Sequence, residues 1–188
     1  MSTLPPLLFT GLAAMAAAVL SACSSMGGPS SVPPFSQAAL PDPVKVPAGH
    51  KVVMETVGVG EITYECRAKA NQAGAFEWVF VGPKAVLNGR DGKAVGSYSG
   101  PPATWQAMDG SAITGAQLAV APAAAGSIPL QLVKANPASG AGAMTGVSYI
   151  QRVATQGGVA PAKACDAGAA GQKEIVRYQA DYIFWKAA

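Results

Sequence analysis

Four carboxylates, Asp91, Asp109, Asp166 and Asp181, are the groups with which this sequence could do acid–base chemistry. Hydrolysis of a glycoside needs one carboxyl group as acid and a second as base or nucleophile. The first three stand in turn or loop sequences, two of them as Asp-Gly pairs, and Asp tolerates turn conformations, so each is accounted for without catalysis. A hydroxyl nucleophile needs a base within hydrogen-bond reach, and the sequence has one histidine, His50. It follows Pro47-Ala48-Gly49 just before the first expected strand, a surface or strand-edge position. Neither G-x-S-x-G nor a phosphate-cradling loop is present, and Gly58-Val59-Gly60, lacking the rest of a nucleotide fingerprint, is expected to be a hairpin turn. The aromatic residues carry more information. Trp78 alternates with Phe76 and Phe80 and is expected in the core, whereas Tyr98, Trp105, Trp185 and Tyr149 either pack or offer a stacking platform to a sugar. Tyr98, Trp105 and Arg152 are the expected ligand-binding residues; Arg152 is alternatively a buried anchor for the Gly157-Gly158 loop.

The ends of the chain say where such a site would work. Residues 1–22 contain no Asp, Glu, Lys, Arg or His, and Gly11 to Leu20 is apolar throughout, too short for a membrane-spanning helix but right for a secretory signal. The run closes in Leu20-Ser21-Ala22-Cys23, which resembles the bacterial lipobox. That resemblance implies acylation of Cys23, removal of residues 1–22 and a lipid anchor; Ser24 in place of Asp implies the outer membrane, facing the periplasm. Residues 23–43, rich in Ser, Gly and Pro, are expected to be a tether, because such a composition buries too little apolar surface to fold.

Residues 44–188 are the size of one domain. The net charge of +3 comes from scattered basic residues, with no stripe that would mark a nucleic-acid surface. Of three cysteines in an exported chain, one is the lipid attachment and the other two, Cys66 and Cys165, are expected to form a disulfide, with two separate free thiols as the other reading. One histidine and no C-x-x-C spacing leave no metal set, and no cofactor is expected.

The elements that must position these residues are strands. Period-two alternation runs through Ile62-Tyr64-Cys66, Phe76-Trp78-Phe80, Ile128-Leu130-Leu132 and Val176-Tyr178-Ala180-Tyr182-Phe184. Turn signals at Asn88–Gly92, Asp109–Ser111, Pro137–Gly142 and Gly157-Gly158 separate them, while 22 Gly and 15 Pro interrupt any long helix. The expectation is an all-β, antiparallel sandwich or barrel of strands five to ten residues long. An irregular loop from Ala160 to Lys173 carries Cys165.

Gly60–Cys66 (G-E-I-T-Y-E-C), Trp78–Leu87, Gly100-Pro101, Trp105, Asp109–Ser111, Val147–Pro161 with its Y-I-Q-R-x-x-T-x-G-G block, Cys165-Asp166 and the closing Tyr178-x-Ala180-x-Tyr182-x-Phe184 resemble the family known as domain of unknown function 3455. The resemblance spans roughly residues 45–185 and implies an exported single domain, without adding a mechanism. Where relatives carry an aromatic or histidine-bearing stretch after Gly96, this chain has Ser97-Tyr98-Ser99. The reading that follows is a noncatalytic, lipid-anchored binding or interaction module for a glycan or other envelope component. A carboxylate-based hydrolase of envelope polysaccharide is the alternative, and a purely structural envelope protein the third.

Overall fold

The computed structural model describes Met1 and residues 33–188. The signal segment and Cys23 lie outside the described residues. Among the described residues the regular structure is strands and two short 3-10 turns, in the order β1 (His50–Ala68), β2 (Phe76–Asn88), β3 (Ala94–Ser99), β4 (Thr104–Ala107), β5 (Ala112–Ala121), β6 (Leu130–Ala135), β7 (Val147–Gly157) and β8 (Lys173–Ala187). Each strand pairs antiparallel with the next, and β8 pairs with β1, so the sheet closes into an eight-stranded up-and-down barrel. Closure leaves every strand with a neighbour on both sides over at least part of its length.

β1 runs 19 residues, longer than the five to ten expected, because Gly58-Val59-Gly60 is not a hairpin turn. It lies in mid-strand, with Gly58 opposite Leu87 and Ala180, and Gly60 opposite Ala85 and Tyr178. The glycines are there for lack of room. A methyl group on Gly58 would stand 2.6 Å from the Tyr182 ring, and one on Gly60 would stand 2.1 Å from the Lys84 carbonyl oxygen. Both distances are well inside van der Waals contact, so only hydrogen fits.

Following the register across the strands gives one transverse row on the inner face: Tyr178 (β8), Gly60 (β1), Ala85 (β2), Tyr98 (β3), Trp105 (β4) and Ile113 (β5). Large rings at Tyr178, Tyr98 and Trp105 flank the two smallest residues, so rings can reach across the interior. Ile62, Leu87, Val133, Ile150, Tyr182 and Phe184 complete this core. The barrel is filled rather than hollow.

A second apolar cluster lies on the outer face, where Ala121, Leu132, Val153, Ile183 and Trp185 are covered by Val44 and Val46, with Phe35 and Leu40 at its margin. Here the expected boundary is corrected: the folded unit begins at Phe35, and residues 35–43 are part of it rather than of a tether. The reason is a specific set of partners. The Gln37 side chain pairs with both backbone groups of Val46, at 2.9 and 2.8 Å. The fully buried Gln151 donates to the Val44 carbonyl at 2.7 Å and to Gln37 Oε1 at 3.0 Å, and accepts from Trp185 Nε1 at 2.9 Å. Phe35 sets its ring edge-on to Trp185. Buried amides of this kind are tolerated only when satisfied, and Gln151 is.

Cys66 and Cys165 are bonded, with Cα atoms 5.5 Å apart. The bond fastens the 160–172 loop across the end of β1. The loop is also held by Trp78 Nε1 on the Lys163 carbonyl, by backbone bonds between Cys66 and Gly171 and Gln172, and by the Asp166 side chain, which caps Gly168 and Ala169.

Candidate functional site

The inner face changes character along β5 to β8. Ile150 faces the apolar core, but the next inward position of β7 is Arg152, opposite Tyr182 on β8 and Gln131 on β6. Gln131 in turn donates to Gln117 of β5 at 2.6 Å. This end of the interior is therefore a polar rim built on four adjacent strands.

Arg152 donates Nε and Nη2 to the Pro129 carbonyl at 3.2 and 3.0 Å. No Asp or Glu forms an ion pair with it among the described residues. Its expected role as anchor of the Gly157-Gly158 loop falls instead to Tyr64, whose hydroxyl donates to the Gly158 carbonyl at 2.7 Å. The physical reason is reach: the guanidinium is engaged at the start of β6, whereas Tyr64 points from β1 toward the loop.

Behind the rim stand the tyrosines. Tyr98 stacks on Trp105 with centroids 4.8 Å apart, Tyr182 packs against both at 5.0 and 6.0 Å, and the Tyr178 and Tyr182 hydroxyls are 3.2 Å apart. Tyr98 and Trp105 are thus brought together, but inside the barrel: they are 7% and 1% exposed. Trp105 Nε1 is buried with no hydrogen-bond partner among the described residues. Tyr98 also borders an open groove of about 500 Å³ on the outer side, where Val59, Glu61, Lys84 and Val86 form the walls.

Burial raises the Tyr64, Tyr98 and Tyr178 phenols above their ordinary value, Tyr178 to about 12, and pushes Tyr182 well above it. The Arg152 charge opposes the rise in all four. A raised phenol holds its proton in the folded state after the unfolded chain has released it near pH 10. For Tyr178 stability is therefore full below pH 10 and falls as pH climbs toward 12, by up to about 1.4 kcal/mol per pH unit. Absorbance at 295 nm should accordingly show most of the five tyrosines ionising only together with unfolding, as followed by circular dichroism. Full ionisation by pH 11 in a chain that stays folded would contradict the cluster.

The other expected participants are dispersed. Asp91 accepts from Lys93 N, and Asp109 accepts from the backbone and hydroxyl of Ser111 and from Ala143 N, which hold its carboxyl below the usual range. Asp181 lies 3.4 Å from Arg90 Nη1, and burial raises its carboxyl against that pairing. Glu55, which sequence alone does not single out, accepts from the same Arg90 and from Phe35 N. The cleft beside them is lined by Val52, Val53, Met54, Glu55 and Arg90, with no aromatic wall. His50 bonds the Pro47 carbonyl and sets its ring against Tyr149, and Trp185 belongs to the outer cluster. Trp78 is only partly buried and Phe80 is 51% exposed, since both line β2 beyond its pairing with β3. Among the described residues no three His, Cys, Asp or Glu side chains gather as a metal set, and no helix is long and apolar enough to cross a membrane.

The class of protein is thus a small, disulfide-linked, closed antiparallel barrel, packed with aromatic rings and polar at one rim. Residues 47–186 match the family model of a protein of unknown function, DUF3455, and the chain belongs to that family. Neither the curated proteins nor the solved structures contain a match to it.

Proposed function

We propose that this protein is a noncatalytic binding module held in the cell envelope by a lipid on Cys23, on the periplasmic side of the outer membrane, with the Arg152 rim as its ligand site and Tyr98 and Trp105 as the aromatic layer behind it. One observation carries the binding reading: a guanidinium on the inner face of the barrel has no carboxylate to neutralise it. The guanidinium is partly exposed and bonds only the Pro129 carbonyl, so it keeps N–H donors for a partner. The lipobox supports the anchor, and a disulfide is at home in an oxidising compartment.

The carboxylates give the hydrolase reading little support. Asp91, Asp109 and Asp166 are engaged in turns and a cap, and Glu55 and Asp181 share Arg90 beside a cleft without aromatic side chains.

Two measurements test the proposal. Mass spectrometry of the membrane fraction is expected to find Cys23 acylated and residues 1–22 absent; an unlipidated chain starting elsewhere would refute the anchor. A thermal-shift screen of envelope glycans and small metabolites against the purified protein is expected to yield stabilising compounds whose effect is lost in Arg152→Gln. Compounds that stabilise the variant equally would remove the rim from the reading.

A further inference from the structure

The outer face of β1, β2 and β3 is built as its own complement. Across the β1–β2 register Val59 stands opposite Val86 and Glu61 opposite Lys84. The two rows continue to Ser97 and Ser99 on β3 and to Gln179 and Arg177 on β8. Val59 and Val86 are each 48% exposed, side by side. Glu61 and Lys84 are exposed as well, and although they face each other in register, neither forms an ion pair among the described residues. Between the rows Gly60, Ala85 and Tyr98 send no side chain outward, and the result is the open groove of about 500 Å³.

The charge pattern selects what covers this face. In a two-fold contact residue i of one copy meets residue j of the other, and j meets i. An axis lying along the β1–β2 seam carries each β1 residue onto its β2 register partner in the second copy. Val59 then meets Val86 and Glu61 meets Lys84, each twice, while Arg177 and Gln179 meet the small Ser99 and Ser97. No like charges are opposed, and two unpaired charges of opposite sign each gain a partner. We infer that two copies of this chain dock through this face as a two-fold dimer, with Val59 and Val86 at its centre and two Glu61–Lys84 pairs between the copies. The valines supply apolar area, and the exposed charges set orientation more than affinity. Four strands about 4.8 Å apart make a face only roughly 15–20 Å wide, so the dimer is reversible, with a Kd on the order of 10–100 μM. No residue of the Arg152 rim takes part, and the fate of this inference leaves the rim reading untouched.

Analytical ultracentrifugation of the purified full chain, from about 1 to about 500 μM, tests the inference. The parent is expected to pass from monomer to dimer. Glu61→Lys and Lys84→Glu each set like charges against one another twice, and each should weaken the dimer at least about tenfold. The double exchange Glu61→Lys with Lys84→Glu rebuilds both pairs and should return the Kd to near that of the parent. Association through any other part of the chain, the apolar N-terminal stretch included, would be indifferent to these two positions. Circular dichroism shows whether the variants are folded. Should a single variant fail to fold, Val86→Ser, which removes apolar area and no charge, is expected to weaken the dimer in its place. A parent that stays monomeric throughout overturns the inference and leaves the face to a different partner. So does a dimer that neither charge reversal nor Val86→Ser weakens, or one that the double exchange does not restore.

Discussion

Replacing Cys66 with serine is expected to lower the melting temperature by roughly 10–20 °C, because a cross-link closing about 100 residues is worth about 4.7 kcal/mol in the chain-entropy model and a domain of this size loses about 2–4 °C per kcal/mol. The two cysteines are 99 residues apart in sequence, so β2 to β7 all lie within the loop that the bond closes. Cys66 is fully buried, and nothing else ties the loop covalently to β1. Reductant should lower the melting temperature of the parent and leave that of the variant unchanged. If thiol reagents label both Cys66 and Cys165 in the native, nonreduced protein, the bond is not formed and the expectation fails.

Gly60→Ala is expected to be the costliest change available from a single methyl group. That methyl would meet the Lys84 carbonyl oxygen at 2.1 Å and the Ala85 Cα at 2.5 Å. Both are backbone of the neighbouring strand and cannot rotate away. Overpacking typically costs about 1–3 kcal/mol, and a clash with backbone belongs at the top of that range, a fall of roughly 6–12 °C in melting temperature. Adding Ala85→Gly should not restore stability, because the closest contact is with Lys84 and not with the Ala85 methyl. A Gly60→Ala protein melting within a degree or two of the parent would mean that β1 and β2 do not approach so closely here.

The same glycine marks where the sequence could be read and where it could not. The alternation from Glu61 to Arg67 and from Val176 to Phe184 announces half-buried strands, and both are strands. Gly58 and Gly60 invite a turn when judged from their neighbours in sequence, since their purpose appears only when Tyr182 and Lys84, far along the chain, are brought against them. The stretch 35–43 fails for the same reason. Pro41 and Pro43 continue the composition of the linker before it, and its partners Gln151 and Trp185 come from the last quarter of the chain. The disulfide was legible because counting cysteines needs no geometry. Tyr98, Trp105 and Arg152 were singled out for their size and polarity next to turns. That they share one interior depends on the register of β3, β4 and β7, which local pattern does not specify.

Closure of β1 on β8 also governs when this fold can exist at all. The barrel's first strand finds its second partner only in β8, Lys173–Ala187, so whatever still holds that stretch also withholds the seam. Pairings so distant in sequence are slow to form, since the entropy of a long loop is lost before any contact rewards it. The half-made protein is consequently an open meander with two unpaired edges, and it becomes a barrel in one late step. A chain built this way stays an open ribbon until its closing strand is free.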